Sequence, residues 1–168
     1  MSDPRYSTLD HPVLDFAFEC RLQFTRVFAV PNVHNGGFRS AVLVDQGHFE
    51  GPRLRGKAVP NSGGDYAHFR DDDTAVFDAR YLLETDDGEI IYMQNKGYLW
   101  GRKPDSMQRL RAWAFEDGPP VAHEDYYLRA QPTFETSKGK YDWMTRHVFI
   151  GVGERKPDGN FVRYYALT

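Results

Sequence analysis

The 168-residue chain has a single cysteine, Cys20, which excludes an internal disulfide and suits a reducing compartment. It has no apolar run approaching the ~18 residues that a bilayer-crossing helix needs, so a membrane-spanning helix is excluded and no membrane partner is expected. It has no basic block. The 21 Lys and Arg are outnumbered by 24 Asp and Glu, and the formal net charge is -3. Nucleic-acid binding needs a positive field to neutralise phosphates, so no nucleic-acid partner is expected. The start, Met1-Ser2-Asp3-Pro4-Arg5, leads into no apolar signal core, and no Asn-x-Ser/Thr sequon occurs, so the expected location is cytoplasmic.

The usual cofactor and nucleophile motifs are missing too. There is no Gly-x-Gly-x-x-Gly before a helix and no Walker-type loop, so a nucleotide would lack its cradle. There is no Gly-x-Ser-x-Gly elbow to expose a hydrolase serine. The histidines His11, His34, His48, His68, His123 and His147 form no His-x-His or His-x-x-x-His pair, and their spacing suggests no metal site. Neither a cofactor nor a metal is expected.

What the chain does have is aromatic rings, 12 Phe, 10 Tyr and 3 Trp, with 15 Gly and 10 Pro scattered as turns require. Over residues 13 to 28, Leu14, Phe16, Phe18, Cys20, Leu22 and Phe24 alternate with mostly polar neighbours, a period of two that specifies a strand with one dry face. Cys20 lies on that face and reads as a small core residue. Further extended runs cover Phe38 to Asp45, Arg53 to Val59, Asp65 to Arg70, Thr74 to Thr85, Glu89 to Lys96, Asp125 to Phe134, His147 to Gly153 and Phe161 to Leu167. Asp-Gly steps at Asp87-Gly88 and Asp158-Gly159 mark two hairpins, because glycine takes the positive φ such turns need. Between residues 98 and 123 the chain is least regular, and Met107, Leu110, Arg111 and Ala114 fit one side of a short helix. About nine short strands without alternating helices exclude a parallel α/β sheet and leave a β-sandwich or a closed barrel. One domain is expected over residues 13–168, preceded by a tail at 1–12.

Three constellations could carry chemistry. In Thr74 to Thr85, one face reads Ala75, Phe77, Ala79, Tyr81, Leu83, Thr85, and the other carries Asp78, Arg80 and Glu84 among Val76 and Leu82. Turned outward, these charges form ordinary cross-strand pairs. Turned inward, they would orient a ligand, and desolvation would raise a carboxyl pKa. Tyr127 and Arg129 share a face near Glu135, where a Tyr and an Arg could polarise a carbonyl and a Glu could move a proton. Tyr141 and Trp143 could wall a barrel mouth or pack in the core.

The run Phe49-Glu50-Gly51-Pro52-Arg53-Leu54-Arg55-Gly56 is followed by Gly64-Asp65-Tyr66, Asp78-Ala79-Arg80-Tyr81, Asp86-Asp87-Gly88, Ile91-Tyr92 and Asn95-Lys96-Gly97. These segments resemble the small β-barrel group catalogued as domain-of-unknown-function family 3237. The second half resembles it through Tyr126-Tyr127-Leu128-Arg129, Pro132-Thr133-Phe134-Glu135-Thr136, Tyr141-Asp142-Trp143 and Gly153-Glu154-Arg155-Lys156-Pro157-Asp158-Gly159. The resemblance implies an all-β fold, a single antiparallel β-barrel of calycin or lipocalin type, often paired with a second copy, so a homodimer is expected. Two departures stand out. Tyr66 occupies a position where the family tends to have Trp, and Met144-Thr145 stand where it tends to have Leu-Asn, which shortens the reach at Thr145 and removes an amide.

With cofactor motifs absent and Tyr, Arg and carboxylates on strands, one reading is a cofactor-independent isomerase, lyase or cyclase working by acid/base chemistry. Its substrate would be a small apolar carbonyl-bearing compound. The alternative is a non-catalytic barrel that binds a hydrophobic small molecule, and a third class is a partner-binding barrel with no ligand. The expected catalytic groups are Arg80, Glu84, Arg129 and Glu135. The expected ligand contacts are Tyr66, Asp78, Asn95, Tyr127 and Trp143.

Overall fold

The computed structural model describes residues 11–168, so residues 1–10 of the expected tail lie outside the described residues. Among the described residues, ten strands form one antiparallel sheet: β1 (Leu14–Val30), β2 (Phe38–Glu50), β3 (Arg55–Ala58), β4 (Gly64–Asp65), β5 (His68–Phe69), β6 (Ala75–Thr85), β7 (Ile90–Gly101), β8 (Tyr126–Glu135), β9 (Val148–Lys156) and β10 (Gly159–Leu167). One helix, α1 (Ser106–Phe115), fills the irregular stretch between β7 and β8. The short strands β3, β4 and β5 share one position between β2 and β6. The order therefore runs β1-β10-β9-β8-β7-β6, then the broken strand, then β2, and β2 pairs back onto β1. That closes an eight-position barrel, an arrangement that removes exposed edges and can enclose one small ligand.

The wall is not uniform. β7 pairs with β8 over their whole common length, whereas β8 meets β9 only at Arg129↔Val152 and Ala130↔Gly151. The Tyr126 hydroxyl spans this seam by accepting the Arg155 backbone N–H at 2.9 Å. Elsewhere glycines let strands pass closely. β2 runs on through Gly47 to Glu50, past the end of the run expected over Phe38 to Asp45, and a Cβ at Gly47 would lie 2.7 Å from the Arg21 carbonyl oxygen.

The inward faces follow the alternation expected from sequence, with one correction. A bulge between Phe16 and Phe18 shifts the register of β1 against β10. Ala17 takes an inward position, Phe16 is 42% exposed, and Phe18, Cys20 and Leu22 are buried. Phe18 sits among the rings of Phe49, Phe134 and Tyr164, at centroid distances of 6.0, 5.9 and 4.8 Å. With Leu83, Ile91, Met93 and Phe149, this cluster fills one end of the barrel. The short 3-10 turn Asp142–Arg146 seals that end with Trp143, which packs 5.7 Å from Phe149 and under the Arg53 guanidinium at 3.9 Å.

Two carboxylates fasten the loops. Asp87, in the first Asp-Gly hairpin, accepts hydrogen bonds from Lys140 Nζ, the Tyr141 hydroxyl and the Thr85 hydroxyl at 2.7, 2.7 and 2.6 Å. These donors hold its carboxyl well below the usual carboxylate range. Asp125, before β8, is buried and pairs with Lys103 and with Arg109 (3.0 Å), which anchors the first turns of α1.

Cys20 is 1% exposed, and burial pushes its thiol pKa up to about 12. The native protein is therefore expected to react with a thiol reagent at least ~100-fold more slowly than the denatured chain, since the thiolate is the reacting species. Fast stoichiometric labelling of the folded protein would contradict the inward placement.

Candidate functional site

The other end of the barrel is hollow. A cavity of about 290 Å³ lies between α1 and a floor formed by Tyr81, Tyr164 and Asn95. Its walls are apolar, with Leu22, Phe24, Val42, Val44, Phe77 and Leu99 among them. The inward residues beyond the floor, Phe18, Phe49, Leu83, Ile91, Met93 and Phe134, take no part in it, so the aromatic cluster closes that side. Helix α1 covers the opposite side with Met107, Leu110 and Ala114, and its exposed Phe115 and Arg111 border the opening together with Val27 of β1.

Few polar groups enter this space. Asp65 of β4 lies between Val42 and Ala79 in the register, so its side chain shares their inward face. Its Oδ1 accepts the Asp78 backbone N–H at 3.1 Å. Desolvation raises its carboxyl pKa to about 7, against the opposing pull of that hydrogen bond and of the Arg155 charge. Arg155 reaches in from β9 in the alternation that buries Phe149, Gly151 and Gly153. Its Nη1 donates to Asn160 Oδ1 at 2.8 Å, and its guanidinium stands 5.9 Å from the Phe24 ring. Burial disfavours its charge, but a guanidinium stays protonated at neutral pH. No ion pair or hydrogen bond joins Asp65 to Arg155 among the described residues, although each feels the other's charge.

At the floor, Asn95 Nδ2 donates to the Tyr164 hydroxyl oxygen at 2.9 Å. The Asn95 carbonyl oxygen and the Tyr81 hydroxyl are buried and no hydrogen bond of good geometry reaches either among the described residues, although the Tyr164 hydroxyl stands close enough to Tyr81 to act on its titration. Burial raises the pKa of both tyrosines, which keeps them protonated as donors. An orphaned buried hydroxyl is costly unless something occupies its donor position. The cavity thus offers a titratable carboxyl, a guanidinium and an unused hydroxyl against apolar walls, a set that can bind an oxygen-bearing apolar molecule and move a proton on it.

The structure brings only part of the expected site here. Asn95, one of the expected ligand contacts, lies in the floor of the cavity. Arg129 borders the cavity, but alternation along β8 turns its side chain outward, with its guanidinium 5.0 Å from the Tyr127 ring. Tyr127 is on the same outer face, stacked on Trp100 at 5.3 Å, and Glu135 is exposed at the far end of β8. Asp78, Arg80 and Glu84 occupy the outer face of β6. Arg80 pairs with Asp78 at 3.2 Å, and Lys57 pairs with Glu84 at 3.3 Å. Tyr66 is 47% exposed, and Trp143 plugs the closed end instead of walling the mouth. Sequence reasoning did not select Asp65, Arg155, Tyr81 or Tyr164. The usable signal was Tyr81 on the dry face of β6, a hydroxyl among Ala75, Phe77 and Ala79 that no core needs.

A family model described as "Protein of unknown function (DUF3237)" matches residues 12–167, the group that the sequence motifs resemble. A "UPF0311 protein" of Rhodopseudomonas palustris is 33% identical over 122 residues, covering 73% of this chain and 75% of that protein. A second, from Clostridium acetobutylicum, is 33% identical over 132 residues, or 79% of each chain. The crystal structure of a β-barrel-like protein from Acinetobacter baumannii shares 30% identity at a TM-score of 0.81, covering 96% of this chain and 99% of that one. A more distant barrel, described as an enzyme from Penicillium herquei, shares 20% identity at a TM-score of 0.68, covering 94% of this chain and 95% of that one.

Proposed function

Because the chain belongs to that family, whose description assigns no activity, we propose from the cavity itself that the protein is a cofactor-independent acid/base catalyst. It acts on a small, mostly apolar, carbonyl-bearing compound held in the barrel. The observation that carries this reading is Asp65, a carboxyl poised near neutrality inside an apolar cavity and left unpaired by Arg155, the one internal cation that faces it among the described residues. A purely structural pairing would bring carboxylate and guanidinium together. Held apart, they leave room for a substrate oxygen beside Arg155 and a carbon or oxygen acid beside Asp65. In the proton-transfer step, ionised Asp65 takes a proton from the carbon next to the carbonyl. The electron pair moves to the carbonyl oxygen, where Arg155 or the Tyr81 hydroxyl stabilises the enolate, and the proton then returns at the same or another atom. That a protein of this fold is described as an enzyme supports chemistry in such a barrel.

The test uses 2-tetralone, an apolar bicyclic ketone, in deuterated buffer. The wild-type protein is expected to speed exchange of the protons beside the carbonyl, with a rate that rises through about pH 7 as Asp65 ionises. Asp65→Asn is expected to remove that rise. If the ketone binds and no exchange occurs, the protein is a binding barrel and the catalytic reading fails.

A further inference from the structure

We infer that the cavity is built for an organic acid, an apolar body carrying one anionic oxygen that docks on Arg155. This deepens the proposed function and rests on its placing the site in the barrel interior. The first observation is the charge inside the cavity: among the described residues Arg155 is the one guanidinium that reaches in, facing the Asp65 carboxyl, while Arg129 turns outward and Arg111 stands exposed at the rim. The opening, bordered by the exposed Phe115 ring and the apolar walls, admits a molecule with an apolar body. The second is the state of Arg155. One of its nitrogens is engaged by Asn160, a neutral partner that cancels no charge, and no carboxylate of the protein pairs with the guanidinium among the described residues. A half-buried guanidinium against apolar walls without a counter-ion is unfavourable, and its fork of N–H donors matches a carboxylate or an enolate oxygen pair. The third is the floor. The Tyr81 hydroxyl, beside that of Tyr164 and in no well-formed hydrogen bond among the described residues, can donate to the same ligand or to a second oxygen on it.

Asp65 then sets when the acid is accepted. The charged and titratable groups around it are Arg155 across the cavity, Asp78 behind it on β6 and Tyr81 beside it on β6. Protonated, Asp65 donates a hydrogen bond to the anion. Ionised, it repels it. Binding of a permanently ionised acid therefore weakens as pH rises past neutrality, the opposite trend to the proposed proton abstraction.

The probes are 1-naphthoate and its neutral relative of similar shape, 1-naphthamide, titrated calorimetrically into the intact protein at pH 6 and pH 8. The expected result is at least tenfold tighter binding of naphthoate at pH 6, with the preference shrinking at pH 8. Arg155→Met is expected to abolish the preference by weakening naphthoate at least tenfold more than naphthamide, whereas Arg111→Met keeps it. Equal binding of the two probes by the wild-type protein overturns the inference and needs no variant to fold. A preference that survives Arg155→Met, or disappears with Arg111→Met, also overturns it. Binding of neither probe overturns the placement of the site in the barrel and so the proposed function with it, whereas equal binding leaves that placement standing.

Discussion

Phe18→Ala is expected to cost about 3–5 kcal/mol of stability, the range for removing a fully buried aromatic ring and leaving a cavity. Phe16→Ala, two residues away, is expected to cost under about 1 kcal/mol, as exposed positions usually do. For a chain of this size the first change lowers the melting temperature by roughly 6–20 °C, at about 2–4 °C per kcal/mol. The contrast comes from the bulge at Ala17. Phe18 has no exposed surface and touches three other rings, while Phe16 turns out of the barrel to an edge contact with Tyr165, 5.9 Å between centroids. Phe18 also supports Tyr164 from below, so its loss loosens the cavity floor as well as the core. Paired thermal or denaturant melts decide the point, and comparable costs at the two positions would refute the bulge.

That bulge marks a limit of what alternation tells. A strict period of two assigns Leu14, Phe16 and Phe18 to one face, and one extra residue reverses the assignment for everything before it. The remainder of the strand pattern was legible because most strands have one dry and one wet face, and because both Asp-Gly steps fall at hairpin turns, although only Gly88 takes the expected positive φ and Gly159 opens β10 in extended backbone. The site was far less legible, for a physical reason. Charges attract attention in a sequence, and on β6 and β8 the charged residues sit on the wet face, where water and cross-strand partners satisfy them. The groups that enter the cavity lie on segments with little pattern to read. Asp65 stands on a two-residue strand inside a run expected to be continuous, and Arg155 stands next to the last hairpin turn. Nor could local pattern tell that α1 lies over the opening, since its burial is confined to Ser106, Met107 and Leu110 and the anchor at Asp125 comes from a later segment.

Asp65→Asn is expected to do two things that a structural residue cannot do together. Exchange of 2-tetralone protons should fall by ~100-fold or more, the usual share of a general base. At the same time the folded protein should become more stable above pH 7. The sign follows from the pKa values. The carboxyl ionises near pH 7 in the folded protein, and at about 3.9 once unfolded. Between those values the folded state holds a proton that the unfolded state has released, so stability falls as pH rises through that window and levels off above it. Arg155 attracts the charged form, but the net shift is upward, so desolvation outweighs that attraction. Asparagine keeps the oxygen that accepts the Asp78 N–H and never carries the charge. Asp78, Asp87 and Asp125 have lowered pKa values, so their contributions are lost only as pH falls below about 4, outside this window. Denaturant melts of both proteins from pH 4 to pH 9 isolate the difference. The curves should meet near pH 4 and diverge toward pH 7, with the variant higher. A variant less stable than wild type at pH 8 would make Asp65 a structural partner of Arg155, and undiminished exchange in a folded variant would remove it from the chemistry. Gain of stability with loss of turnover would show a charge kept in an unfavourable place for its use.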